Sequence, residues 1–118
     1  MTQGDDPNIA PYIEAIQGMK TLNLVALDVR GLASFADYFI ICSGRSHRQV
    51  TAMAEHIQKE LKAQGIKTLS VEGLREGLWV LMDYGDVIVH IFYESVRAFY
   101  DLESLWSDAK KIEYGDGA

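Results

Sequence analysis

Apolar residues follow two rhythms along the chain. Near-continuous runs at Leu22 to Val29 (LNLVALDV) and Tyr38 to Cys42 (YFIIC) predict strands buried on both faces. Spacing of three and four marks helices. Asp6 reads as an N-cap with Pro7 at the first helical position, followed by Ile9, Tyr12, Ile13 and Ile16. Ser46 and Gln49 form an S-x-x-Q capping box ahead of an apolar stripe of Val50, Met53, Ala54, Ile57 and Leu61, which Gly65 is placed to stop. Lys67 to Val71 reads as a short strand near a sheet edge. Leu78 to Asp83 and Asp86 to Tyr93 read as a hairpin about Tyr84-Gly85, with Asp83 opposite Asp86, Leu81 opposite Ile88 and Trp79 opposite His90. A last helix starts near Glu94, with Val96, Phe99, Tyr100, Leu102 and Trp106 as its apolar groups. The order α-β-β-α-β-β-β-α predicts an α/β fold with a mixed five-stranded sheet flanked by helices. The 118 residues read as a single domain, with an ordered core over about 8–108 between a flexible head and a polar tail.

Charge narrows the function. Eleven Lys and Arg against 17 Asp and Glu give −6, which argues against neutralising nucleic-acid phosphates and favours small ligands or a basic protein partner. No apolar run approaches a membrane span, and MTQGDDPN has the character of neither a signal nor a transit peptide, so a cytoplasmic protein is expected. The single cysteine, Cys42, excludes an intramolecular disulfide and reads as a buried, inert thiol. His47 and His56 are nine apart on one helix and His90 is elsewhere, so neither a metal site nor any cofactor is expected.

Two stretches carry candidate chemistry. Ser43, Gly44, Arg45 and Ser46 join a buried strand to a capped helix, where free amides can hold an anion, and His47 and Arg48 add positive charge. Turn chemistry and helix capping explain the same residues. A Gly–Ser-type turn before a helix also occurs in nucleotidyltransferases, but metal-assisted transfer needs a nearby pair of carboxylates and no acid-x-acid strand follows. The alternative function is therefore a nucleotide- or phosphate-binding enzyme using Ser43 to Arg48. The second stretch is the hairpin face with Trp79, Leu81, Ile88, His90 and Phe92, rimmed by Asp83 and Asp86. Seven of the twelve aromatic residues lie between 79 and 106, and Glu72 to Glu103 holds seven acids and two arginines. Aromatics beside acids suit a surface that docks a basic partner. From spacing alone a sheet covered on both faces, with these groups as core, explains them better, and a self-interface is a third reading.

The stretches DVRGLASFADYFIICSGRSHRQV (28–50) and EGLREGLWVLMDYGDVIVHIFYESVRAFYDLESLW (72–106) resemble the Iojap family, the ribosomal silencing factors. The resemblance covers about residues 8–108. It implies a non-enzymatic protein with a nucleotidyltransferase-like topology. Its expected partner is the large ribosomal subunit, bound at the intersubunit face through a basic ribosomal protein, the fourteenth of that subunit. Direct RNA contact should be small. A factor seated there blocks joining of the small subunit and represses translation, and homodimers are common in the family. The docking surface is expected to use Trp79, Leu81, Asp83 and His90 from the hairpin, with Asp86, Arg97 and Tyr100 added by their match to the family signature.

Overall fold

A computed structural model describes residues 8–19 and 21–112. Its centre is a pair of strands, β2 (Tyr38–Gly44) and β5 (Val87–Tyr93), which run parallel with Ile41 beside His90. Every β2 residue is buried, as is β5 up to Phe92. That is why these two segments are nearly unbroken in apolar character. β1 (Leu22–Asp28) lies antiparallel to β2, β4 (Trp79–Asp83) antiparallel to β5, and β3 (Ser70–Glu72) forms an edge beside β4.

The other edge corrects the expected strand count. Lys110–Ile112, assigned from sequence to the polar tail, forms β6 and pairs with Ala26 to Asp28 of β1. The mixed sheet therefore has six strands, in the order β3-β4-β5-β2-β1-β6. A three-residue strand with two lysines has no periodicity to read; only Ile112 is buried.

On one face lie α1 (Ala10–Gln17) and α2 (His47–Ala63). Their side chains join Ala26, Ile40, Cys42, Val80, Met82, Val89 and Ile91 in one buried cluster. Asp6 and Pro7 lie outside the described residues; Asn8 and Ile9 form a turn, and the helix begins at Ala10 with Pro11 in its first turn, not at Pro7. The α2 stripe is buried as its spacing predicts. The Gln49 main-chain N–H donates to Ser46 Oγ (3.0 Å), but the Gln49 side chain accepts from Arg45 N–H, one residue before the cap. Gly65, at φ +82°, closes the helix with Ile66 N–H donating to the Leu61 carbonyl and its own N–H to Lys62.

The hairpin register differs from the expectation. Leu81 opposes His90, Asp83 opposes Ile88 and Trp79 opposes Phe92. The turn residues are Gly85-Asp86, because the first central position takes a positive φ and glycine (φ +91°) fits it where tyrosine does not. The slip is by one residue on each strand, so every side chain keeps its predicted face.

The other face carries Leu27, Phe39, Ile41, Ile88, Phe92 and Leu102. Above it the predicted last helix is broken in two. α3 (Glu94–Tyr100) stops at Asp101, which is left-handed (φ 48°, ψ 53°), and α4 (Leu102–Leu105) follows. The break turns Leu102 inward and leaves Phe99 82% exposed rather than in the core.

Candidate functional site

Trp79 opens β4, and the chain ahead of it is pressed close. Gly73 (φ +82°) packs against the Trp79 carbonyl so tightly that a Cβ at 73 would collide with it. Gly77 (φ +68°) sits against the His47 carbonyl at the start of α2, where a Cβ would lie 2.6 Å away. Held from behind, the half-buried Trp79 ring stacks on Phe92 (centroids 4.9 Å apart) and leans on Tyr100 of α3 (5.1 Å). Between the 73–78 segment and α3 runs an apolar cleft of about 430 Å³, lined by Leu78, Trp79, Val96, Phe99 and Tyr100 with Glu76 at its border.

His90 lies on the next strand, 4% exposed. Trp79 Nε1–H donates to its Nδ1 (3.1 Å), and its ring meets Phe39 edge-on at 5.2 Å. Burial pushes its pKa down to about 4, so the imidazole is neutral near pH 7. The structure thus brings Trp79, Leu81, His90 and Tyr100 onto one face. Asp83 and Asp86 stand at the end of the hairpin. Asp83 Oδ1 accepts the Gly85 N–H (2.8 Å), and exposed Asp86 accepts at its main-chain carbonyl from Asp37 and Tyr38 (2.8 and 3.0 Å). They do not oppose each other, as the expected register had them.

Arg97 is placed differently. It is 8% exposed, and its guanidinium donates to the Asn23 carbonyl (2.7 Å), to Ser43 Oγ (2.9 Å) and to both carboxylate oxygens of Glu103 (3.2 and 2.9 Å). Asn23 lies at the irregular start of β1 with φ 51°. Arg97 therefore ties α3 and α4 to the sheet from inside.

Sequence reasoning did not single out Leu78, Val96 and Phe99 as cleft residues. A helical stripe of Val96, Phe99 and Tyr100 reads as core unless the break at Asp101 is known. The Gly73–Trp79 approach has a signal in the sequence, an isolated glycine ahead of a strand, but that signal names no partner.

At the candidate anion turn, Ser43 is 1% exposed and occupied by Arg97, and Thr21 Oγ1 donates to its carbonyl (3.2 Å). Arg45 N–H and Gln49 N–H are both bonded within the turn. Gly44 is packed under α2, where a Cβ would meet Met53 and Val50 at 3.1 Å. Arg45, Ser46, His47 and Arg48 are exposed. Cys42 is buried and its thiol is pushed up to about 11, chiefly by burial. Among the described residues no group of three or more His, Cys, Asp or Glu could hold a metal ion, and no helix is long and apolar enough to cross a membrane.

Comparison with known proteins decides the family. The model described as "Ribosomal silencing factor during starvation" matches residues 4–117. The chain belongs to this family. It is 43% identical over 101 residues to the Ribosomal silencing factor of Halalkalibacterium halodurans, covering 86% of each chain. It is 46% identical over 87 residues to that of Bacillus subtilis, covering 74% of each. A crystal structure from Bacillus halodurans superposes with a TM-score of 0.81 at 37% identity, covering 92% of this chain and 99% of the other. The mixed sheet with flanking helices is thus shared with a solved structure.

Proposed function

We propose that this protein is a non-catalytic silencing factor that docks on the large ribosomal subunit through the Trp79–Tyr100 face and sterically blocks joining of the small subunit. Membership of the silencing-factor family supports the ribosomal partner. The observation that carries the choice of surface is the apolar cleft with a half-buried indole at its floor. Large, partly exposed aromatics on a preformed surface are what protein interfaces use as anchors. The acidic surround suits a basic ribosomal protein, with charge steering the encounter more than setting the affinity. Leu81, His90 and Tyr100 complete the contact face, and Asp83 and Asp86 supply its acidic end. Arg97 acts from behind by holding α3, which carries Tyr100, against Trp79. The topological kinship with nucleotidyltransferases belongs to the same proposal, as a shared scaffold without the chemistry. Self-association through the same face is compatible with it, provided that the ribosome binds one copy.

The test is subunit joining on sucrose gradients. Large subunits are mixed with the protein before small subunits are added. Free subunits should persist, with the protein sedimenting beside the large one. Normal joining with the protein left at the top would sink the proposal.

A further inference from the structure

One polar group at this face has no partner. His90 accepts the Trp79 N–H at Nδ1. An indole nitrogen only donates, so Nδ1 is the unprotonated nitrogen and the neutral ring carries its proton on Nε2. Nε2 is buried, and among the described residues nothing accepts that proton. Buried donors are nearly always bonded, because leaving one unmade costs its full desolvation. His90 pays this in the middle of a strand whose buried neighbours, Val89, Ile91 and Phe92, are apolar. An aromatic hydrocarbon at 90 would avoid that cost, at the expense of the acceptor that Nδ1 offers the part-buried Trp79 N–H. Native proteins accept such local faults where a site needs them.

We infer that His90 Nε2–H is a hydrogen-bond donor held for the docked partner, and that the partner meets it with a main-chain carbonyl oxygen. The inference rests on the docking reading above and adds the atom that is recognised. Lysine and arginine side chains, which the acidic surround attracts, bring only donors and cannot satisfy Nε2–H. A carboxylate would meet Asp83 on the same face and Glu76 at the cleft. A main-chain carbonyl is the neutral acceptor that every residue of a basic protein carries. Because Nε2 is covered in the free protein, a neighbouring ring must yield. Trp79, in contact with His90, and Trp106, packed 5.0 Å from Phe39, are both only partly buried.

Three variants separate the two ring nitrogens. His90→Gln places an amide near the Nε2 position, His90→Asn places one near Nδ1 alone, and His90→Phe removes both. Binding of each to purified large subunits is measured by cosedimentation, alongside a thermal melt. Wild-type protein should bind. Gln should stay within about three-fold of it, while Asn and Phe weaken by about ten-fold or more, with the melt showing that each variant is folded at the binding temperature. If all three folded variants bind like wild type, His90 is a tolerated core histidine and the inference fails while the docking reading stands. If folded Gln is as weak as Phe, a donor at Nε2 is not what is recognised. If wild type itself does not bind, the docking reading fails and takes the inference with it.

Discussion

The two faces of the sheet are built from alternate residues of the same strands, yet they differ in finish. Under α1 and α2, the sheet presents Ile40, Cys42, Val80, Met82, Val89 and Ile91, all 0% exposed. The opposite face alternates Phe39, Ile41 and Ile88 with Trp79, Leu81 and His90, and its cover is two short helices broken at a left-handed aspartate. One face is closed by a 17-residue amphipathic helix with both ends capped. The other keeps a cleft, a partly exposed indole and an unpaired buried N–H. If the open face is the docking surface proposed above, stability rests on the first face and recognition on the second, and substitutions should separate the two.

The largest effect belongs to the closed face. Ile40→Ala removes a fully buried side chain from β2, the strand between β1 and β5, and leaves a cavity in the cluster under the helices. A loss of about 2–5 kcal/mol is expected, read as a fall in melting temperature of roughly 10 °C or more. Large-subunit binding at a temperature where the variant stays folded should be unchanged. Weakened binding there would mean that the faces are not separable.

The open face contributes a pH signature of similar size. The folded pKa of His90, about 4, lies below its unfolded value, so between those values the unfolded chain binds the extra proton. Stability should be full above about pH 6.5 and fall as pH drops toward 4, by about 3 kcal/mol. Denaturant midpoints at pH 7, 6 and 5 measure this, and His90→Phe should flatten the profile over that window. Asp28, held below its usual range by Arg30, adds loss only at lower pH. An unchanged slope in the variant would assign the acid sensitivity elsewhere.

Next is the anchor. Trp79→Ala should weaken large-subunit binding by more than about 2 kcal/mol, about 30-fold, because the ring forms the cleft floor. Its stability cost should be smaller than that of Ile40→Ala, since the indole is only half buried. Normal binding by a folded variant would remove Trp79 from the site.

What the sequence reveals divides along the same line. The α2 stripe is legible because seventeen residues repeat one period, and β2 and β5 because burial on both faces leaves an apolar run. β6 is not, since two lysines and an isoleucine carry no pattern. The register slip shows why the predicted faces survive a wrong pairing. Moving the turn by one residue changes every pair but no face, so Trp79, Leu81 and His90 are read together from alternation alone. Arg97 fails for the opposite reason. A lone arginine on a short helix looks solvent-facing, and its burial follows from partners distant in sequence, the Asn23 carbonyl 74 residues away and the buried Ser43 hydroxyl, together with Glu103.

Phe99 gives the finest test of the comparison. Its helical spacing suggests core, but it is 82% exposed and touches Tyr100 edge-on at the cleft mouth. Phe99→Ser should therefore change stability by no more than about 0.5 kcal/mol, the range of surface substitutions away from special features. If the cleft receives the partner, the same substitution removes apolar contact area at its wall and should weaken binding several-fold, well short of Trp79→Ala. The double variant with Trp79→Ala then locates the contact. Two residues lining one pocket should lose less together than the sum of their separate losses. Strict additivity would place Phe99 against a different part of the partner and confine the anchor to the indole and its His90 neighbour.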